Sequence, residues 1–271
     1  MFKKLQSKAD SFWSWKYFLH INVLAAVIGL ALDKALPCMF IILAEAIFLL
    51  IFCDDLMSIA FPVFAIFLTS TVYFKDYSVL APYMWYAIIP FGTALIFQIV
   101  YYRKPFVKGR FFYPMLAVSA ALILGGVGTI SAEEYFKPFS LYYTLGLGVG
   151  MTALYCIFVS RLQNERSYSR VERVSDILYA AGILAVFVLA IFYMHNFQKF
   201  LNKGGVLFYK PRNYLCTVLL MAMPQSCRFI KKNNIHLLPL AAMYVTMFMS
   251  GSRSGLLLGA IMLLICAAYV Y

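Results

Sequence analysis

The sequence predicts an all-α membrane protein: a polytopic bundle of about ten transmembrane helices with its N-terminus inside. Three observations support this fold class. The 271 residues are 63% hydrophobic and only 13% charged, which is more apolar surface than a soluble domain of this length can bury. Successive apolar runs approach the ~20 residues that cross ~30 Å of hydrocarbon. Many of the 20 tyrosines lie near the ends of these runs, where interfacial aromatic belts form.

The apolar runs define the predicted helices in chain order. They cover residues 17–32, 37–53, 56–74, 79–102, 111–130, 140–160, 177–197, 214–230, 235–251 and 254–271. The first run follows a basic stretch but precedes no small-residue cleavage site, so we interpret it as an uncleaved first span rather than a signal peptide. We therefore expect residues 1–271 to form one integral-membrane domain, multi-pass in the cytoplasmic (cell) membrane.

Lysine and arginine in the short loops set the predicted orientation. With the N-terminus inside, basic residues cluster in the inner loops, whereas three outer loops hold one each: Lys34, Lys75 and Lys137. The inner stretch at 161–176 is predicted to lie as a basic juxtamembrane segment against anionic lipid.

One outer segment opposes this pattern. The stretch QKFLNKGGVLFYKPRN (198–213) contains Lys199, Lys203, Lys210 and Arg212. Two interpretations stay open: an anionic ligand on the outer face compensates for the charges, or the segment is a solvated loop overruled by the other spans.

Arg253, in the stretch MFMSGSRSGLLLGAIML, falls on the same predicted face as this basic segment. The simple alternative is an arginine that snorkels to headgroup phosphates. A helix start near Ser252 would place free N–H groups beside Arg253, and Ser252 and Ser254 would add hydroxyls. Such a set suits phosphate or pyrophosphate. Gly251, Gly255 and Gly259 recur every fourth residue and predict a close approach to another helix.

Two motifs resemble the O-antigen ligase and O-antigen polymerase family. GSRSGLLLG is similar to that family's S-R-S/G-G/A motif, and GGVLFYKPRNYLCTVLLMAMP (204–224) resembles its upstream G-x-F-x-x-P-N-x-x-A block. Phe208, Pro211 and Asn213 match, whereas Arg212 interrupts the proline–asparagine pair and Cys216 replaces the usual small residue. The resemblance covers residues 204–271.

The resemblance implies a membrane glycosyltransferase that polymerises or ligates glycan units of cell-surface polysaccharide, such as capsule, exopolysaccharide or lipopolysaccharide. Its donor would be an undecaprenyl-pyrophosphate-linked oligosaccharide at the outer face of the cytoplasmic membrane, and other polysaccharide-assembly proteins are expected partners. It assigns the donor pyrophosphate to Arg253. Charge and position add Arg212 and Lys210. The family continues into further helices and a large outer loop, so we expect this chain to be an N-terminal portion or a truncated, inactive remnant.

The candidates for a general base are His195, near the outer end of the seventh predicted helix, and Glu134, in the outer loop ISAEEYFKPF. An interfacial histidine and a solvated turn are the alternatives. Glu45 lies within an apolar run, where a hydrogen bond to a tyrosine or to His20 is favoured over catalysis.

The absence of a nucleotide-binding loop, a metal-binding acidic pair and a nucleophile motif fits a lipid-linked donor. We expect no cofactor, no metal and no nucleic acid. The competing class is a transporter or flippase for an anionic or lipid-linked substrate, with the basic outer segment as its entrance.

Overall fold

The computed structural model describes residues 2–15, 17–71, 79–128, 144, 146–162, 167–202 and 211–270. All regular secondary structure in these ranges is helical, which confirms the predicted all-α class. The α-helices are α1 (Phe2–Ser14), α2 (Phe18–Ala31), α3 (Ala35–Phe52), α4 (Ala60–Ser70), α5 (Ala81–Tyr101), α6 (Phe112–Gly128), α7 (Met151–Leu162), α8 (Ser167–His195), α9 (Phe197–Asn202), α10 (Arg212–Ile230), α11 (Leu237–Met249) and α12 (Arg253–Val270).

Each predicted apolar run overlaps one of these helices, but the helices differ in length. Among the described residues, four segments are long and apolar enough to cross a membrane: Ala35–Phe52, Pro82–Tyr101, Val171–His195 and Arg253–Val270. The pair α1 and α2, bent by 78°, makes a fifth if it is counted as one span. The chain thus contains several helices able to span a bilayer, and the count of ten stays a prediction.

Two compact units divide the chain. Unit 1 comprises Met1–Gln98 and Tyr168–Tyr271, and unit 2 comprises Ile99–Ser167. In unit 1, α3 packs on α2 and α4, and α10 packs on α11 and α12. Its core contains fully buried large side chains such as Phe61, Leu184 and Leu219, which remove apolar area from the surface.

Unit 2 is held by polar contacts between short elements. A π-helical segment, Gly146–Gly150, precedes α7 and packs on α6. The Ser119 hydroxyl donates to the Gly148 carbonyl at 2.5 Å, and the Val107 N–H donates to the Ser160 hydroxyl at 2.9 Å. These contacts fix α6 and the segment before it against α7.

The start of α8 falls within the stretch predicted to be a basic juxtamembrane segment. Residues from Ser167 onward form the first turns of a 29-residue helix that continues to His195. The Arg173 side chain donates to the Trp13 carbonyl, and its guanidinium carbon lies 4.1 Å from the centre of the Trp13 ring. This arginine is engaged by protein groups, because an aromatic face and a carbonyl both attract a guanidinium.

Candidate functional site

A tight turn joins α11 to α12 and presents Arg253. The turn spans the residues between Met249 and Arg253, and Gly251 adopts a φ of 72°. This left-handed conformation is accessible to glycine because it has no Cβ. Gly251 is therefore a turn residue, and the prediction that it belongs to a helical glycine stripe is wrong.

The other two glycines confirm the predicted close helix approach. A Cβ on Gly255 would lie 2.6 Å from Cys216 Sγ on α10, and one on Gly259 would lie 2.8 Å from Met247 Sδ on α11. Such separations leave no room for a side chain without a shift of the neighbour. The glycines thus bring α12 against two different helices.

The helices α10 and α12 run parallel and begin side by side. Near their starts, the Ser252 hydroxyl donates to Asn213 Oδ1 at 3.2 Å, and further along Cys266 Sγ donates to the Met223 carbonyl at 3.7 Å. The first residue of each helix is an arginine, Arg212 in α10 and Arg253 in α12. Two positive helix ends and two guanidiniums therefore lie at one end of unit 1.

The candidate side chains at these helix starts divide into exposed and engaged groups. Arg253, Ser254 and Asn213 are exposed and Arg212 is half-buried, whereas Ser252 is only 4% exposed. The Ser252 hydroxyl also accepts from the Gly255 N–H at 3.2 Å, as a helix-capping serine does. Ser252 consequently holds the two helix starts together, and Arg253 and Ser254 face outward.

The Ser250 side chain, which is buried, holds the turn before α12 in place. Its buried hydroxyl donates to the Met247 carbonyl at 2.7 Å, accepts from the Ser252 N–H at 3.3 Å and lies 3.3 Å from Cys216 Sγ. No sequence motif pointed to Ser250. The sequence feature that could have identified Ser250 is Cys216, which replaces the usual small residue of the block that 204–224 resembles. The Cys216 thiol fills the space between Ser250 and Gly255.

The end of α8 lies beside the same turn. The Tyr193 hydroxyl donates to the Met249 carbonyl at 2.5 Å, and His195 Nδ1 lies 3.2 Å from Asp33 Oδ1. Asp33 follows α2 with a φ of 55°. A carboxylate at Nδ1 selects the tautomer that leaves Nε2 as a proton acceptor. Asp33 is a second residue of the candidate site that was not predicted. The sequence feature that could have identified it is its position directly after the first apolar run.

Four positions singled out in the sequence have other outcomes. Lys210 and Glu134 lie outside the described residues, as does Phe208 of the upstream block. Glu45 is hydrogen-bonded as expected, but its partner is buried Asn22, whose Nδ2 donates to Glu45 Oε1 at 2.9 Å, rather than a tyrosine or His20. Across the described part of the chain, no group of three or more His, Cys, Asp or Glu residues could hold a metal ion.

The opposite end of α10 contains a second arginine cluster. We call it the Arg228 end, formed by Arg173, Asp176, Arg228, Lys232 and His236, and we call the paired helix starts at Arg212 and Arg253 the Arg253 end. Arg228 Nη1 donates to the Glu172 carbonyl at 2.9 Å and lies 3.4 Å from Asp176 Oδ1, and Nη2 lies 3.5 Å from Glu172 Oε1. With a 1.5 Å rise per residue, about 24 Å of helix separates Arg212 from Arg228.

No protein-family model, curated protein or solved structure matches this chain. The Arg253 end is therefore characterised by its own chemistry. Guanidiniums, helix N-termini and an exposed hydroxyl together form a set of donors that suits a phosphate group.

Proposed function

We propose that the chain belongs to a membrane glycosyltransferase of cell-surface polysaccharide assembly, with an undecaprenyl-pyrophosphate-linked oligosaccharide as its donor. The paired starts of α10 and α12 carry the proposal, because the Asn213–Ser252 bond joins the two segments that resemble the O-antigen ligase and polymerase family. In this proposal the chain crosses the cytoplasmic membrane about ten times with its N-terminus inside, and the Arg253 end faces outward.

The donor pyrophosphate binds across the two helix starts. Arg253 and Arg212 supply bidentate donors, and the exposed Ser254 supplies a hydroxyl. Lys210 precedes α10 by two residues and extends the same basic segment. The partial positive charges of two parallel helix N-termini add to these side chains, because both helix dipoles favour negative charge at that end.

The reaction transfers the glycan from the lipid to an acceptor hydroxyl. The acceptor oxygen bonds to the anomeric carbon as the carbon–oxygen bond to pyrophosphate breaks, and the electron pair leaves with the pyrophosphate. The arginines stabilise the negative charge that develops there. The acceptor proton passes to a general base, for which His195 Nε2, oriented by Asp33, is the first candidate and Glu134 the second. The acceptor is a further glycan unit in polymerisation, which we favour, and a different surface glycan in ligation.

A binding measurement tests the donor site. Purified protein in micelles is titrated with undecaprenyl pyrophosphate, and Arg253→Lys is compared with wild type. The variant keeps the charge but loses the guanidinium fork, so we expect about tenfold weaker binding, as for the loss of one charged hydrogen bond.

Arg103→Lys is the matched control. Arg103 is an exposed arginine of unit 2, outside the proposed donor site, and its Nε donates to the Val100 carbonyl. It should bind like wild type. Equal binding by Arg253→Lys and wild type, or equal losses in both variants, would overturn the assignment.

The transporter class is separated from the enzyme by its product. Proteoliposomes receive labelled lipid-linked glycan, and chain length and flux across the membrane are measured together. Longer or transferred glycan supports the enzyme, whereas flux of unchanged glycan supports a flippase. Binding with neither activity identifies a remnant. Glu45, the carboxylate within an apolar run, is hydrogen-bonded to Asn22, which supports a structural role for it rather than a role in transport.

A further inference from the structure

A cavity of about 600 Å³ lies within unit 1, at the Arg228 end. Residues of α2, α8, α10 and the turn before α11 line it. Its volume falls in the range of about 300–1,000 Å³ typical of ligand pockets. No residue of the proposed donor site lines it, so it is a separate feature of the fold.

The cavity changes character along its length. Its polar end is lined by Arg173, Asp176, Arg228, Lys232 and His236. Further along α2 and α8 the lining becomes apolar, through side chains that include Val23, Leu24, Val27, Ile183 and Phe187. A cavity with one charged end and one apolar end matches an amphipathic ligand better than a small ion.

The polar end favours a negatively charged group. Three of its lining residues are basic and one is acidic, and that carboxylate, Asp176, lies 3.4 Å from Arg228 Nη1. Arg173 donates to the Trp13 carbonyl and has Asp176 and Asp55 as electrostatic neighbours, whereas Lys232 is exposed at the rim, where a headgroup phosphate can reach it. The Tyr179 hydroxyl and His236 Nδ1, 2.8 Å apart, add polar groups that can bond an oxyanion or a glycerol hydroxyl.

The apolar end opens toward the surface that lipid would cover. Leu24 is 58% exposed and Phe187 is 43% exposed, so the apolar wall continues onto the outside of the bundle. The wall extends about 12 Å along α8, from Tyr179 to Phe187. An acyl chain can lie along it and leave sideways into the bilayer, and burying that chain contributes free energy that a soluble anion cannot gain.

We propose that this cavity binds an anionic phospholipid, with the headgroup phosphate at Arg173 and Lys232 and one acyl chain along α2 and α8. Basic pockets between spanning helices recognise anionic headgroups by the same chemistry. The proposal requires helices embedded in a membrane but not glycosyl transfer, because the cavity and the Arg253 end lie at opposite ends of α10.

Lipid binding by the whole purified chain tests the proposal. Native mass spectrometry in detergent follows titration with dioleoyl phosphatidylglycerol and, separately, with dioleoyl phosphatidylcholine. We expect the anionic lipid to bind at least fivefold more tightly. Lys232→Gln should weaken its binding about fivefold, the effect of one basic residue near an anionic lipid. Val27→Trp, which fills the apolar end, should weaken binding of both lipids.

Lys231→Gln is the matched control. Its Nζ lies 3.7 Å from the centre of the Tyr269 ring, and Lys231 does not line the cavity, so lipid binding should stay unchanged. Both lysines are exposed, so neither substitution disturbs the core. Equal affinity for the two lipids, equal losses at Lys231 and Lys232, or displacement of the lipid by an equal concentration of inorganic phosphate would each overturn the proposal.

Discussion

The two ends of α10 use arginine in opposite ways. At the Arg228 end, the guanidinium of Arg228 contacts a carbonyl, the carboxylates of Glu172 and Asp176 and, at 5.4 Å, the Phe229 ring. At the Arg253 end, Arg253 is exposed at the first position of a helix, where the helix dipole presents positive charge. The first arrangement stabilises the arginine, and the second opposes it by about 0.3–1 kcal/mol.

The difference between the two ends indicates which arginines are expected to contact a ligand. An arginine that the local fold stabilises has a structural reason to be there. An arginine at a helix N-terminus is locally unfavourable, and an anion that binds both the side chain and the N–H groups reverses the sign of that interaction. By this criterion we expect a ligand to contact Arg253 rather than Arg228.

The largest expected effect on stability comes from replacing Arg228 with alanine, and the matching replacement of Arg253 gives the contrast. Arg228→Ala removes the cation that contacts the part-buried carboxylates of Glu172 and Asp176, so we expect a loss of about 2–3 kcal/mol in the free energy of unfolding. Arg253→Ala should stay within about 0.5 kcal/mol of wild type and yet lose undecaprenyl pyrophosphate binding. Denaturant unfolding in micelles and lipid titration measure the two quantities. A stability loss at Arg253 as large as at Arg228 would remove the distinction.

A smaller loss in the free energy of unfolding is expected when the starts of α10 and α12 are forced apart. Gly255→Ala places a Cβ against Cys216 Sγ, and overpacking of this kind costs about 1–3 kcal/mol, partly offset by the better helix propensity of alanine. We expect a net loss of about 1–2 kcal/mol and weaker pyrophosphate binding.

Gly92→Ala is the control for this substitution. Gly92 lies in α5, and a Cβ there would meet no atom within 4 Å, so the same change should stabilise the protein by about 0.5–1 kcal/mol. If Gly255→Ala also stabilises, α10 and α12 do not approach as closely as the structure places them.

The Asn213–Ser252 bond gives a still smaller effect. Asn213→Ala removes an exposed acceptor, so the free energy of unfolding should fall by about 0.5–1 kcal/mol. Pyrophosphate binding should weaken as well, because the helix starts lose the bond that sets their spacing. Thr217→Ala is the comparison, since the Thr217 hydroxyl bonds only the Asn213 carbonyl of its own helix among the contacts described. Identical binding by the two variants would show that the bond does not matter to the site.

The smallest stability effect is expected at Asp33. The pair with His195 is exposed, with Asp33 at 82%, so Asp33→Asn should change the free energy of unfolding by less than about 0.5 kcal/mol. Asparagine also tolerates the positive φ. Glycan transfer should nevertheless slow, because His195 loses the carboxylate that selects its tautomer. A rate equal to that of wild type and of the neighbouring control Lys34→Gln would exclude the pair from catalysis.

Hydropathy predicted the helical class and the places of the helices because apolar runs of sufficient length must hydrogen-bond internally in lipid. It did not predict helix lengths. The run at 56–74 begins with a 3₁₀ turn, Leu56–Ile59, because Asp55 Oδ1 accepts from the Met57 N–H at 2.9 Å, and α4 starts only at Ala60. An apolar run records composition, whereas a helix start depends on such a local bond.

The candidate site was predictable where the sequence pattern is local. The two motif segments identified Arg253 and Asn213, and Ser252 joins them. The His195–Asp33 contact was not predictable, because it links residues far apart in the chain through packing alone. The turn at Gly251 was not predictable from spacing. Glycines at every fourth position give the same sequence pattern whether all of them lie in one helix or the first lies in the turn before it.

If α10, α11 and α12 all span the bilayer, the parallel course of α10 and α12 keeps Arg212 and Arg253 on the same side of it in either orientation of the bundle. With α11 returning between them, any insertion that places the start of one helix on a given side of the bilayer places the start of the other there too. An inverted chain would carry Arg212 and Arg253 together to the opposite compartment. The proposed anion site would thus be preserved under inversion, and only the compartment from which its ligand arrives would change.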